Sequence, residues 1–252
     1  MNDSVFRTDE VNENITLVQR KEGLTFGSDA YLLYAYMKKG NSRSRAAELG
    51  CGTGVVSLLA AAKGKFPDIT AYEVQESYAE LARKNTEANR LSHIVKPECA
   101  DVRKLTGGEF DAVFTNPPYM KADAGKKNAS EEKYIARHEV CGDIGDFCAA
   151  ASRILKFGGA FYAVYLPGRM TDLICAMRNS SIEPKRITLV YPYADSKPCI
   201  LLAEGKKGGS PGVFFTPPLI MYAKRGAGAP EYTEDLKYIY ENGDFDERFS
   251  KA

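Results

Sequence analysis

Apolar and polar positions along this chain follow two alternating rhythms, short β-favouring runs and longer helical ones. "RAAELGCGTG", Arg45 to Gly54, gives a short strand that ends in glycines, and Val55 to Lys63 is an apolar, alanine-rich helix. "DITAYEV" (68–74) predicts the next strand and Glu76 to Arg90 the next helix. "HIVKPECAD" (93–101) and "FDAVFTN" (110–116) supply a third and a fourth strand, followed by a polar, lysine-bearing connection over 120–143. Asp146 to Leu155 predicts a helix closed by Gly158-Gly159, then come the strand "AFYAVYL" (160–166) and a helix over Met170 to Asn179. Upstream, a polar start leads into Leu24 to Met37, helical late on, with Ala30, Leu32, Leu33 and Tyr36 suited to one face.

Strands alternating with helices imply right-handed βαβ units and a parallel sheet covered on both faces. From Lys185 the texture changes. "RITLVYPY" (186–193), "CILLAEG" (199–205) and "LIMYAK" (219–224) are strand-like with no helix between them, and "KKGGSPG" (206–212) is a flexible turn. The expected fold is α/β: a doubly wound, mostly parallel seven-stranded sheet with an antiparallel C-terminal end. No internal repeat and no linker divides the chain, so residues 1–252 are expected to form a single domain.

Composition adds limits. The 252 residues are 44% hydrophobic and 27% charged, with no run long enough to cross a membrane. No basic stretch followed by an apolar one opens the chain, so no secretory signal is expected. The six cysteines are scattered without a CxxC pair, which favours reduced thiols in a cytoplasmic protein and gives no cluster to ligate a metal. The net charge of +1 hides an acidic tail, since residues 230–252 carry a net of −4 and the rest of the chain is about +5.

Gly50, Gly52 and Gly54 sit between a strand and a helix, where glycine lets backbone approach a ligand and the helix N-terminus favours negative charge. The spacing is G-x-G-x-G after Glu48, not the G-x-G-x-x-G of dinucleotide binders, and no Gly-Lys-Ser/Thr follows. Glu73 ends the second strand, where a carboxylate can accept both hydroxyls of a ribose. Asp101 follows the third, where a short acid can accept from an adenine amino group. Each also has a plain reading, Glu73 as a strand-end surface acid and Asp101 as the cap of a helical turn. Three acids at three successive strand ends after a glycine loop favour a ligand.

"AELGCGTG", "AYEV", "CADV" and "NPPY", in this order, resemble the class I S-adenosylmethionine-dependent methyltransferases of the amino-methylating kind, over roughly residues 24–225. The resemblance implies that the loop with Gly50, Cys51, Gly52 and Gly54 holds the methionine end of the cofactor. By the same likeness Glu73 holds the ribose and Asp101 the adenine, with Glu48, Val74 and Val102 also at the cofactor.

Asn116-Pro117-Pro118-Tyr119 then acquires a chemistry. An exocyclic amine conjugated to a ring is a poor nucleophile because its lone pair is delocalised. If the Asn116 amide oxygen and the Pro117 carbonyl both accept its N–H groups, the nitrogen is drawn towards tetrahedral geometry and its lone pair is aimed at the methyl. The prolines preset both acceptors, and Tyr119 can stack on the planar group. Thr216-Pro217-Pro218-Leu219 lacks both amide and aromatic and is read as structural.

The same motif serves adenine N6, guanine N2 and glutamine side-chain amides. "LTFGSDAYLL" (24–33), "YIARHE" (134–139) and "YTEDLKYIY" (232–240) resemble a bacterial family of adenine-N6 methyltransferases acting beside the anticodon of a valine tRNA. That likeness places Phe26, Gly27 and Asp29 over the methionine end. It makes residues 1–40 a cofactor-covering extension, 41–225 the catalytic core and 226–252 an acidic tail. Lys121, Lys126, Lys127 and Arg137 are candidate phosphate contacts on an RNA, and the loop holding them is equally suited to be a lid. Arg137, His138 and Glu139 suit a salt-bridged turn as well as a substrate role. The expected partner is an RNA, most simply a tRNA. Methylation of protein glutamine or of rRNA guanine N2 are the alternatives, and the oligomeric state is not legible.

Overall fold

The computed structural model describes residues 5–21, 27–118, 142–225 and 230–250. An antiparallel hairpin, β1 (Phe6–Asn12) and β2 (Ile15–Arg20), comes first, and helix α1 (Ser28–Tyr36) follows. Then come β3 (Arg45–Leu49), α2 (Val55–Ala62), β4 (Asp68–Glu73), α3 (Glu76–Ala88), β5 (Val95–Cys99) and β6 (Phe110–Thr115). The second half holds α4 (Ile144–Ile154), β7 (Leu155–Tyr165), α5 (Met170–Asn179), β8 (Ile182–Tyr191) and β9 (Ile200–Lys207). Two short strands, β10 (Phe214–Phe215) and β11 (Leu219–Ile220), and helix α6 (Glu234–Asn242) follow.

The main sheet runs β5-β4-β3-β6-β7-β9-β8, with β10 and β11 both paired along the outer edge of β8. Strands β3 to β7 pair in parallel, and only β9 is antiparallel to its neighbours β7 and β8. The expected doubly wound sheet with an antiparallel end is therefore present. β10 and β11 differ from expectation: "LIMYAK" contributes only two residues to the main sheet, and they lie parallel to β8.

Side chains leave each strand on alternate faces, which splits the core in two. Ala46, Ala112, Phe114, Tyr162 and Val164 face α1, α2 and α6, whereas Ala47, Val113, Phe161, Ala163 and Tyr165 face α4 and α5. Both sets are buried, so these strands read as continuous apolar runs.

Two segments depart from the sequence expectation. The polar start folds into the β1–β2 hairpin, and side-chain amides of α3 hold its β2 edge. Asn85 accepts from Val18 N at 2.8 Å and donates to Val18 O at 3.1 Å, and Asn89 accepts from Thr16 N at 3.0 Å and donates to Thr16 O at 2.7 Å. Two amides one helical turn apart thus stand in for a neighbouring strand. The acidic tail is also structured. Thr233 caps α6, Gly243 ends it at φ 63°, and Leu236 and Ile239 are buried. Beyond it, Asp244 accepts from the buried Lys65 at 2.7 Å, and the Phe249 carbonyl accepts from the buried Arg186 at 3.1 Å. One acid and one carbonyl of this segment thus meet cations buried in the core.

Candidate active site

The carboxyl ends of β3, β4, β5 and β6 lie side by side, since Leu49 pairs with both Tyr72 and Thr115, and Glu73 pairs with Cys99. The glycine loop leaves β3 at this edge. Gly50 N and Cys51 N both donate to the Tyr72 carbonyl at 2.9 Å, and Gly54 N donates to Cys51 O at 2.8 Å. Gly52 and Gly54 hold φ of 54° and 84°, left-handed values that disfavour any residue with a Cβ. At Gly52 the space where a Cβ would stand is open, so the loop presents bare backbone outward.

Glu73 is only 6% exposed, and its two oxygens accept from Gly52 N and Gln75 N, each at 2.9 Å. Burial raises its pKa. It therefore fixes the loop while sitting beside the open position at Gly52. Next to it Val74 exposes an apolar side chain. Glu48 is more deeply set, with one oxygen accepting from both Ser57 N and Ser57 Oγ. Burial pushes its carboxyl up to about 8. It braces the start of α2 from beneath the loop. Ser57 was not anticipated, because nothing in an alanine-rich helix marks one serine as the partner of a buried acid.

Asp101 follows β5, where the sequence places an acid, and it caps the turn Val102–Lys104 by accepting from Arg103 N at 2.9 Å. Arg103 Nη2 approaches it at 2.7 Å, and this hydrogen-bonded guanidinium lowers the carboxyl's pKa. Val102 beside it is buried. The capping role and the strand-end position thus coexist.

Asn116 closes β6. Its Nδ2 donates to Asp29 Oδ2 in the first turn of α1 at 2.9 Å, and Thr115 Oγ1 donates to the Leu49 carbonyl at 2.8 Å. A carboxylate can only accept, so the amide NH2 faces Asp29 and the amide oxygen is left as an acceptor. Pro117 is buried and Pro118 half-buried. Phe26, Tyr119, Lys121, Lys126, Lys127, Arg137, His138 and Glu139 lie outside the described residues. Asn85 is a further residue missed by sequence reasoning: its amide donates to Thr53 O at 3.0 Å and so ties the glycine loop to the hairpin.

Against known families, the model described as "Methyltransferase small domain" matches residues 21–167. The chain belongs to this family. Among curated relatives, a tRNA1(Val) (adenine(37)-N6)-methyltransferase of Flavobacteriaceae bacterium (strain 3519-10) is 28% identical, covering 71% of this chain and 81% of the relative. One of the same name from Porphyromonas gingivalis is 26% identical, covering 85% and 88%. Among solved structures, a predicted O-methyltransferase of Agrobacterium tumefaciens superposes with a TM-score of 0.68 at 24% identity, covering 86% of this chain and 98% of its own.

As a member of the methyltransferase small domain family, the chain is an S-adenosylmethionine-dependent methyltransferase. The residues present fit that cofactor: a bare glycine loop, a buried carboxylate beside it and an exposed valine for a flat ring. Among the described residues, no group of three or more His, Cys, Asp and Glu is placed to hold a metal. No described helix is long and apolar enough to cross a membrane.

Proposed function

We propose that this protein is a tRNA methyltransferase and that it methylates the exocyclic N6 of an unpaired adenine near the anticodon. The observation that carries the chemistry is the Asn116–Asp29 bond, which leaves the Asn116 amide oxygen as an acceptor at the sheet edge that bears the glycine loop. The substrate class rests on the curated relatives, which are named for adenine 37 of a valine tRNA.

In this reading Gly50 to Gly54 hold the methionine end of the cofactor, Glu73 and Val74 the ribose side, and Asp101 and Val102 the adenine. S-adenosylmethionine, when bound, supplies an electrophilic methyl. Asn116 Oδ1 and the Pro117 carbonyl accept the two N–H groups of the incoming amine, which localises its lone pair and aims it. Tyr119 stacks on the base, and Lys121, Lys126, Lys127 and Arg137 contact phosphates. No base is needed before transfer, because the nitrogen becomes acidic only afterwards. Residues 1–40 cover the cofactor, 41–225 are the catalytic core, and the acidic segment 226–252 braces α1.

Incubation with radiolabelled cofactor and either total RNA or total protein tests the substrate class. Label is expected in the tRNA fraction. Label in protein alone would transfer the assignment to glutamine amides, and label in rRNA as N2-methylguanine would transfer it to guanine.

A further inference from the structure

A train of tyrosine rings leads from the helix that carries Asp29 to the protein surface. Tyr31 of α1 meets Tyr240 of α6 with ring centroids 4.6 Å apart, and Tyr240 meets Tyr232 at 5.4 Å. Tyr232 stacks on Tyr222 at 5.7 Å and 27°, and Tyr222 meets Tyr193 at 5.5 Å. The Arg225 guanidinium lies 4.9 Å from the Tyr193 centroid, held by Asp195 Oδ1 at 3.1 Å and Ser196 Oγ at 3.0 Å.

The outer end of this train sits on the catalytic edge of the sheet. β8 runs in the same direction as β6, and β11 is parallel to β8, so Tyr193 and Tyr222 emerge where Asn116 does. From β6 through β7 and β9 to β8 is three strand spacings, about 15 Å. Tyr232 is 39% exposed, Tyr193 and Tyr222 are half-buried, and Lys197, Lys224 and Arg225 are exposed around them against Asp195 and Glu231.

We propose that Tyr193, Tyr222, Tyr232 and Arg225 form a stacking platform for unpaired RNA nucleotides flanking the base that is methylated. The inference rests on the RNA reading above. Aromatic faces with an adjacent planar cation suit splayed bases of any identity, and the nearby lysines suit phosphates. An extended peptide is a poorer occupant, because the backbone it would pair with is already used. Met221 N donates to Tyr191 O, Tyr222 N to Pro192 O and Ala223 N to Glu231 O, at 2.8 to 2.9 Å.

The test is steady-state methyl transfer to tRNA by wild type, Tyr193→Ala, Tyr193→Phe and Arg225→Gln, with S-adenosylmethionine affinity measured by calorimetry. Tyr193→Ala is expected to raise KM for tRNA about tenfold, within the range for loss of one stacked base. Its kcat at saturating tRNA and its cofactor affinity should stay within twofold of wild type. Tyr193→Phe should restore KM, and Arg225→Gln should flatten the salt dependence of KM by about one unit of slope. A KM within twofold of wild type in Tyr193→Ala, or equal losses in the Ala and Phe variants, overturns the platform and leaves the RNA reading standing. Failure of wild type itself to methylate tRNA overturns both.

Discussion

Asn116 donates its side-chain N–H to the Asp29 carboxylate across 2.9 Å, joining the end of β6 to the first turn of α1. The bond fixes which end of the amide is left as an acceptor. Asn116→Ala is expected to lower turnover by roughly 10²–10³, the scale for one preorganised polar contact, with cofactor affinity nearly intact. Single-turnover methyl transfer checks this, and a rate within threefold of wild type contradicts the aligning role.

Asp29 should act through Asn116. Asp29→Ala is expected to slow methyl transfer by about tenfold to a hundredfold in the wild-type background, and by less than about threefold when Asn116 is already alanine. A double-mutant cycle on kcat measures the coupling. Fully additive losses would mean that Asp29 serves the cofactor alone.

Glu73 carries two backbone N–H groups on its oxygens and sits beside the open face of Gly52. Glu73→Ala is expected to weaken S-adenosylmethionine binding by about 1–3 kcal/mol. Isothermal calorimetry reads the change, and unchanged affinity would remove the ribose assignment.

The buried Glu48 gives a pH signature. Burial lifts its carboxyl from an ordinary 4.5 to about 8, so the folded protein keeps a proton that the unfolded chain has lost. The resulting stability is fully present below the unfolded value and is lost as pH rises through about 8. Denaturant midpoints for the ligand-free protein should therefore fall between about pH 5 and pH 8.5. Glu48→Gln, which keeps an acceptor for Ser57, should show a smaller fall.

The sequence exposed the parts of this fold that follow from simple alternation or from glycine. β3, β4, β6 and β7 are apolar on both faces, and the glycine loop with its strand-end acids needs no tertiary information to find. The hairpin was hidden because Gln19 is fully buried at a position where the Ile15, Leu17 rhythm asks for an apolar residue. Its support comes from Asn85 and Asn89 on a helix 67 to 73 residues away. α6 was hidden by charge: Thr233 is a cap and Leu236 and Ile239 have helical spacing, but the surrounding acids suggest a solvated tail. One of those acids, Asp244, pairs with Lys65, whose burial no local pattern announces. The Asp29–Asn116 bond spans 87 residues and is visible only once β6 and α1 are placed together.

Methyl transfer to adenine N6 in tRNA is read out by nucleoside mass spectrometry. Unmodified tRNA is incubated with the purified protein and S-adenosylmethionine, digested to nucleosides and compared with the same reaction run with Asn116→Ala. N6-methyladenosine is expected to accumulate with wild type and its initial rate of formation to fall by roughly 10²–10³ with the variant. Another methylated nucleoside in its place, or N6-methyladenosine formed equally fast by both proteins, would contradict it.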